Sequence, residues 1–282
     1  MEVLKKLYYL PRKVIFILIA VAVVIPLILK IGLPVKWTPP VEAIFNAIDT
    51  MPDDKAVLLS CDFDPSTQPE LYPMALAIIR HCFAAKKKLL LMSLYPMGVG
   101  LAAMALEEAK EDFPDVEYGK DYVFLGYTPG YGIVILSIGE SIQKTFERDY
   151  YGTPLNKLPL MKEINNYDDI GLAVCLTGSG VWGTWVLYAN TTYKQALAIG
   201  VTAVIATQVY PYLATGQIIG MMGGLKGAAE YEELLAYHGY YNKKRIATRG
   251  MDAQTITHLL IIAMIIFGNI NYVILRRRGI VR

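Results

Sequence analysis

Residues 56–67 read AVLLSCDFDPST, an apolar run that ends in two acidic residues, a proline and two hydroxyl residues. An apolar run without polar alternation is typical of a parallel strand covered on both faces. The polar residues that follow predict a loop, and a helical pattern, Pro69–Lys87, begins directly after it. Because a strand, a loop and a helix form the first half of a right-handed crossover, this stretch predicts an α/β fold.

Four further apolar runs repeat the pattern along the chain. The candidate strands are Ala56–Cys61, Leu89–Leu94, Tyr122–Tyr127, Ile170–Thr177 and Val201–Thr207, and the candidate helices are Pro69–Lys87, Gly98–Asp112, Ser137–Tyr150, Val181–Tyr188 and Gly216–Tyr237. The sequence therefore predicts a doubly wound, mostly parallel five-stranded sheet similar to the Rossmann and flavodoxin folds.

Two apolar segments flank this pattern. Val14–Leu33 has 17 apolar residues of 20 and Ile256–Leu275 has 15 of 20, the length that a helix needs to cross a bilayer core of about 30 Å. We expect a cytoplasmic tail over 1–13, a transmembrane helix over 14–33, an α/β domain over 34–253, a second transmembrane helix over 254–275 and a basic cytoplasmic tail over 276–282. A third span within residues 196–225 is the alternative for that uncharged region, but its glycines and proline disfavour it.

The basic residues near the two segments indicate the orientation. Eight lie outside the domain and five lie on its side: Lys5, Lys6, Arg12, Lys13, Arg276, Arg277, Arg278 and Arg282 against Lys36, Lys243, Lys244, Arg245 and Arg249. The excess favours cytoplasmic termini and an extracytoplasmic domain in the cell membrane.

Charge and cysteine content exclude several classes of protein. The chain has 27 basic and 25 acidic residues, a formal charge of +2, so nothing in its composition indicates a nucleic-acid partner. Cys61, Cys82 and Cys175 have no metal-ligand spacing, and we expect neither a disulfide nor a bound metal or cofactor.

The first strand is followed by the residues most suited to catalysis. Asp62 and Asp64 could hold Mg²⁺ or act as nucleophile and acid, and Ser66 and Thr67 supply hydroxyl groups beside them. The run Asp62–Ser66 resembles the D-x-D-x-[TV] motif of haloacid-dehalogenase-type phosphatases, and Ser93 matches the position of that family's second Ser/Thr motif. Ser66 stands where the family has Thr or Val, and no acidic pair follows a later strand. The alternative is that Asp64 or Ser66 caps the following helix.

The fourth strand is followed by a glycine-rich turn. Gly178, Ser179, Gly180 and Gly183 form the pattern G-x-G-x-x-G at a strand-to-helix junction, where backbone N–H groups can bind a phosphate. The acidic residue that a dinucleotide site needs after the next strand is missing, since Thr207 and Gln208 stand there. Glycines that let a helix pack closely are the alternative interpretation.

A second glycine-rich segment precedes the second apolar segment. Gly216, Gly220, Gly223, Gly224 and Gly227 would share one side of the helix predicted over residues 216–237. Glycine costs a helix about 1 kcal/mol relative to alanine, so close contact with another helix has to offset the loss. We expect this side to be a packing face or an oligomer interface.

These patterns indicate a membrane-anchored, non-catalytic scaffold or accessory subunit that self-assembles or organises other integral membrane proteins in the bilayer. The arrangement of span, α/β domain and span resembles that of some extracytoplasmic accessory subunits of ABC transporters, in layout alone. The alternative is a membrane-tethered domain that binds a small molecule or nucleotide, or a metal-dependent hydrolase, with its site at the carboxyl edge of the sheet.

Overall fold

The computed structural model describes residues 9–29 and 31–280, which form two compact units. One unit is the α/β domain, Val35–Ala247. The other contains the described residues up to Pro34 and from Thr248 onward. Lys5, Lys6, Lys30 and Arg282, together with most of the predicted N-terminal tail, lie outside the described residues.

The α/β domain is built on a parallel sheet of six strands. In chain order they are β1 (Ala56–Asp62), β2 (Lys88–Ser93), β3 (Tyr122–Tyr127), β4 (Ile170–Thr177), β5 (Leu197–Val201) and β6 (Gly220–Gly223). Their spatial order is β3-β2-β1-β4-β5-β6, and every neighbouring pair is parallel. The predicted parallel α/β sheet is confirmed, with six strands in place of five. The strand order reverses between β1 and β4, as in a doubly wound fold.

Helices cover both faces of the sheet. The helices of the chain are α1 (Arg12–Leu29), α2 (Pro39–Asp49), α3 (Gln68–Ala84), α4 (Pro96–Asp112), α5 (Tyr131–Ile138), α6 (Ile142–Phe146), α7 (Leu160–Glu163), α8 (Val181–Trp185), α9 (Ala203–Ala214), α10 (Gly224–Tyr237) and α11 (Ile246–Arg277), of which α1 and nearly all of α11 belong to the other unit. Helices α3, α4 and α10 pack together on one face, and α5, α8 and α9 contribute to the core on the other. A seven-residue π-helix, Val186–Thr192, continues α8.

The fifth strand lies earlier than predicted. Residues 197–201 form β5 and are all buried, whereas most of the predicted strand Val201–Thr207 belongs to α9. The apolar residues run without interruption from one element into the next, so their pattern does not separate a buried strand from a helix. In α9 only Ala206 and Val209 are buried, which is the one-sided burial of a surface helix.

The glycine-rich segment is not one helix. Gly216 has a φ of 73° in a turn, residues 220–223 form β6, and α10 begins at Gly224, which has a φ of 62°. The predicted helical glycine face therefore does not form. These glycines permit close contacts inside the domain: a Cβ on Gly220 would lie 2.3 Å from the Pro40 carbonyl oxygen, and one on Gly227 would lie 2.8 Å from the Met222 Cα.

The helix predicted over residues 137–150 is also replaced by shorter elements. Helix α5 begins at Tyr131, directly after Gly130, which has a φ of 85°. It ends at Ile138, and Ser141 then caps α6 by accepting a hydrogen bond from the Lys144 backbone N–H. The glycine and the cap residue set these boundaries because each fits a helix end and disfavours a helix interior.

The second unit contains two helices that are long and apolar enough to cross a membrane, α1 and α11. Helix α1 ends at Leu29, before the predicted end of the first span, and α11 extends beyond residues 254–275 in both directions. Within this unit the buried carboxylate of Asp252 accepts hydrogen bonds from the backbone N–H groups of Gly32 and Leu33, at 2.8 and 2.9 Å. Asp252 thus links α11 to the segment that follows α1.

Gly220→Ala is expected to destabilise the α/β domain itself. The added methyl group meets the Pro40 carbonyl oxygen and the Ile44 side chain, so α2 has to move away from β6. Overpacking of this kind costs about 1–3 kcal/mol, which denaturant unfolding of the purified protein measures. Gly183→Ala is the matched control, because its added Cβ has no neighbour within 4 Å and lies inside helix α8. Equal stability of the two variants would contradict the proposed packing.

Candidate functional site

The strand order reverses between β1 and β4, and open α/β folds bind ligands in a crevice outside the carboxyl ends of the strands at such a point. The loops after β1 and β4 meet there: a Cβ on Gly178 would lie 2.5 Å from the Thr67 Cγ2. The structure therefore brings together two of the loops that the sequence singled out. Gly178 has to be glycine because any larger residue would displace Thr67.

Asp62, at the end of β1, is fully buried. Its Oδ1 accepts hydrogen bonds from the Ser60 hydroxyl and the Leu94 backbone N–H, both at 2.7 Å. Its Oδ2 accepts a hydrogen bond from the Trp185 indole N–H at 3.2 Å, and the Cys175 thiol lies 3.7 Å from the same oxygen. Burial raises the pKa of Asp62 to about 6, although these hydrogen bonds oppose the rise. This carboxylate joins four parts of the domain and has no open side toward solvent.

Asp64 and Ser66 form a local turn. The Asp64 carboxylate accepts hydrogen bonds from the Ser66 backbone N–H at 2.8 Å and from its hydroxyl at 2.6 Å, and these bonds lower the pKa of Asp64. The Thr67 hydroxyl donates to the Asp64 carbonyl oxygen at 3.2 Å. Asp64 is half-buried, so its carboxylate is more accessible than that of Asp62. The N-cap residue of α3 is Thr67 and no side chain caps the helix, so the alternative that Asp64 or Ser66 caps α3 is wrong; the pair forms a turn before the helix instead.

Ser93 lies beside Asp62, but its hydroxyl group forms hydrogen bonds with other residues. Its buried hydroxyl lies 2.7 Å from the Cys61 carbonyl oxygen and 2.9 Å from the Tyr95 carbonyl oxygen, and it accepts a hydrogen bond from the Tyr95 N–H. Helix α4 approaches so closely that a Cβ on Gly98 would overlap this hydroxyl at 2.5 Å. The three candidate catalytic residues thus share one edge of the sheet, and each takes part in hydrogen bonds that shape a loop.

The glycine-rich turn after β4 carries the accessible hydroxyl groups of the crevice. Ser179 accepts a hydrogen bond from the Tyr95 hydroxyl at 2.8 Å, and its own hydroxyl lies 3.1 Å from that of Thr177. Additional Cβ atoms on Gly180 and Gly183 would meet nothing within 4 Å, so open space adjoins both residues. The turn offers hydrogen-bonding groups without a charge.

Glu70 is a site residue whose role the sequence did not predict. Its carboxylate reaches from the first turn of α3 to accept a hydrogen bond from the Ala203 backbone N–H at 2.8 Å. The same carboxylate lies 3.0 Å from the Cβ position of Gly224. A negative charge of the protein itself therefore occupies the amino-terminal end of α9, beside the start of α10, where an anionic ligand would otherwise be favoured.

The charge at this edge is unfavourable for phosphate. In the described chain, the loops after the six strands and the first turn of α10 contain a single cationic residue, Lys226, and it pairs with Glu230. Asp64 and Glu70 are acidic residues of the same edge. Across the described residues there is also no group of three or more His, Cys, Asp or Glu side chains arranged to hold a metal ion. The crevice is suited to hydroxyl-bearing, uncharged groups.

Several large apolar side chains are exposed at the carboxyl edge of the sheet. The apolar rim consists of Met97, Tyr127, Tyr131, Ile133 and Val204, which lie at strand ends or in the first turns of the helices that follow. Ile133 and Val204 are 75% and 83% exposed. Beside Tyr131 and Ile133, a shallow groove of about 250 Å³ separates α5 from Tyr188 of the π-helix. Such helices are rare and occur frequently at functional sites.

A second buried titratable side chain, His81, lies in α3 away from the crevice. Its Nδ1 lies 2.7 Å from the Tyr231 hydroxyl, and its ring stacks on Phe45 with centroids 4.3 Å apart. Burial lowers the pKa of His81 to about 4, against the attraction of Asp49. His81 is fully buried in the core. Cys61, Cys82 and Cys175 are buried free thiols, as expected.

No known protein provides a guide to this site: no family model, no curated protein and no solved structure matches the chain. Its function has to be argued from its own geometry.

Ionisation of Asp62 is expected to destabilise the protein between about pH 4 and pH 6. The folded-state pKa of about 6 exceeds the ordinary value of 3.8. The folded state therefore keeps a proton that the unfolded state has lost, and stability falls as the pH rises through this window. The shift corresponds to about 3 kcal/mol. Denaturant titrations at both ends of the window should show that the free energy of unfolding of the wild type falls from the lower to the higher pH, and that this fall is absent in Asp62→Asn.

His81 supplies a comparison of opposite sign. Its folded-state pKa of about 4 lies below the ordinary value of 6.5, so its contribution to stability is lost as the pH falls through this range. With His81 present, stability rises as the pH rises through this range, and His81→Gln should abolish that rise. Asp62→Asn, in contrast, should abolish a fall in stability with rising pH. A change of the pH slope in the same direction in both variants would contradict the assigned pKa shifts.

Proposed function

We propose that this protein is a membrane-anchored, non-catalytic accessory subunit that self-assembles through the carboxyl edge of its sheet. The observation that carries the proposal is the apolar rim around a crevice whose acidic and hydroxyl groups already bond to one another. A group of exposed apolar side chains at one edge is typical of a protein interface.

The internal hydrogen bonds argue against catalysis. A nucleophile or general base has to reach a substrate, yet Asp62 and Ser93 are buried and bonded to their own domain. Asp64 is more accessible, but its hydrogen bonds with Ser66 lower its pKa and make it a weaker base. The carboxylate with a raised pKa, Asp62, is thus out of reach of a substrate, and the accessible one, Asp64, has a lowered pKa.

We place α1 and α11 in the cell membrane, with cytoplasmic termini and the α/β domain on the extracytoplasmic side, following the distribution of basic residues. Anchoring confines all copies of the chain to one plane and raises their effective concentration. This favours a second copy of the chain as the occupant of the apolar rim. Other integral membrane proteins are the alternative partners, and no nucleic acid is involved.

Replacing the two most exposed rim residues tests the proposal. The double variant Ile133→Asp, Val204→Asp puts two charges where the interface would exclude water. The protein concentration at which the oligomer dissociates should therefore rise about tenfold or more. Multi-angle light scattering of the full chain in detergent or nanodiscs measures its mass. Met104→Asp is the control, since Met104 is exposed on α4 outside the rim. A monomeric wild type would refute self-assembly, and an oligomer that both variants leave intact would refute the apolar rim as its interface.

A second candidate function, binding of a small uncharged ligand, is favoured by the position of the crevice at the order reversal of the sheet. Tyr95 and Ser179 would supply hydrogen bonds to hydroxyl groups of such a ligand. A sugar that binds there should raise the melting temperature of the wild type, and Ser179→Ala should abolish the rise. Nucleotides should have no effect because Glu70 repels their phosphates. No rise with any of a range of mono- and disaccharides would count against this function.

A further inference from the structure

Asn269 is an exposed polar residue within the apolar part of the long helix α11. The residues around it, 259–275, include no charged side chain and are mostly apolar. Asn269 lies seven residues before Arg276, about 10 Å along the helix, and eleven residues after His258, about 16 Å. Long lysine and arginine side chains can reach a membrane interface from such a depth, but an asparagine side chain is too short. Asn269 therefore cannot place its amide at either end of the apolar stretch.

A nearby asparagine, Asn271, shows the usual arrangement of such residues. Two residues along a helix correspond to a rotation of about 200°, so Asn271 lies on nearly the opposite side of α11 from Asn269. Asn271 is buried, whereas Asn269 is exposed. Polar side chains of membrane-spanning helices almost always face protein, because hydrocarbon offers them no hydrogen bond. With α11 in a bilayer, as proposed above, the protein covers one of the two asparagines and leaves the other facing lipid.

The hydrogen bonds of Asn269 are incomplete. Its Nδ2 donates to the Ile265 carbonyl oxygen of the same helix at 2.9 Å, and this is its one hydrogen bond among the described residues. A side-chain amide has a second N–H donor and a carbonyl acceptor. In lipid both would stay unpaired, which costs free energy. A partner that covers Asn269 therefore has to offer both an acceptor and a donor.

Exposed apolar residues flank Asn269 on its side of α11. The Asn269 face is formed by the exposed residues Ile262, Ile265, Ile266, Asn269 and Val273. Their spacings of three, four and seven residues place them on one side of the helix. The apolar residues of the face need no partner in lipid, whereas Asn269 does. An asparagine among isoleucines and valine at such spacing is typical of paired helices, in which it specifies how the two helices align.

We propose that the Asn269 face binds the same face of a second copy of the chain within the membrane. All copies insert with one orientation, so two α11 helices lie parallel and place Asn269 of both copies at the same depth. The amide is then complementary to itself, since the second N–H of each Asn269 donates to the Oδ1 of the other. Any other partner would have to carry a matching donor and acceptor at that depth. This inference rests on the membrane placement of α11 proposed above and not on the apolar rim of the α/β domain.

The test is association of the full chain in phosphatidylcholine vesicles. Copies that carry a donor or an acceptor fluorophore on a carboxyl-terminal tag are mixed, and energy transfer is measured as added lipid dilutes the protein. Asn269→Leu should raise the protein-to-lipid ratio at half-maximal transfer about tenfold, because it removes both reciprocal hydrogen bonds. Asn269→Gln keeps an amide and should retain most of the association. Phe267→Leu is the matched control, since Phe267 is exposed on nearly the opposite side of α11.

Cross-linking locates the contact while Asn269 is kept. Ile262→Cys introduces a thiol on the Asn269 face, two helical turns before Asn269, and Phe267→Cys introduces one on the other side. The native thiols Cys61, Cys82 and Cys175 are buried in the α/β domain and do not compete. Oxygen with a copper catalyst oxidises two neighbouring thiols to a disulfide. Covalent dimers in vesicles should form several times faster with Ile262→Cys than with Phe267→Cys.

Energy transfer that Asn269→Leu leaves unchanged, or equal cross-linking of the two cysteine variants, would overturn the proposal. The rim variant Ile133→Asp, Val204→Asp separates the two contacts. If the rim interface is wrong, this variant leaves energy transfer unchanged while Asn269→Leu still weakens it. Flotation of the vesicles on a density gradient tests the anchoring, and a chain that does not float with them would overturn the membrane placement and the α11 contact together.

Discussion

The buried carboxylate of Asp62 is the interaction on which the centre of this domain depends. It lies where the strand order reverses and accepts hydrogen bonds from β1, from the loop after β2 and from the helix after β4. The two halves of a doubly wound sheet meet only through the β1–β4 pair, so a polar link at its end aligns the loops on both sides. Burial of a carboxylate is costly unless donors compensate for it, and here three N–H and O–H donors do so. Asp62 is thereby committed to structure.

The sequence predicted the elements whose apolar pattern fits one type of secondary structure only. The residues of β1 to β4 are buried on both faces, and their unbroken apolar runs predicted the strand ends to within one residue. The sequence did not predict the elements whose type depends on the backbone conformation of a few glycines. Gly216 and Gly224 adopt positive φ and place a short strand between them, whereas their spacing equally fits one side of a helix. The spacing cannot reveal that Pro40 and Ile44 of α2 would fill the space beside Gly220.

The candidate site was predictable in position and less so in chemistry. Strand ends identified Asp62, Ser93 and Gly178, because the carboxyl ends of parallel strands share one edge. Whether a carboxylate acts as a base depends on its environment, which is set by residues distant in the chain. The indole of Trp185 and the backbone N–H of Leu94 reach Asp62 across the crevice, and no local motif marks either contact. Glu70 was visible as an acidic residue in a first helical turn, but its target, the start of α9, was not.

Glu70 explains why the usual anion site of this fold is unfavourable for an added anion. Parallel α/β proteins commonly bind phosphate at the amino-terminal ends of helices, which lie at the carboxyl edge of the sheet. Here the Glu70 carboxylate supplies the negative charge that a bound phosphate would otherwise provide. Among the described residues, Lys226 is the only cation in the loops after the strands and the first turn of α10, and it pairs with Glu230. An added phosphate would face two carboxylates without a counter-charge. The usual anion site of the fold is thus occupied by a carboxylate of the protein itself.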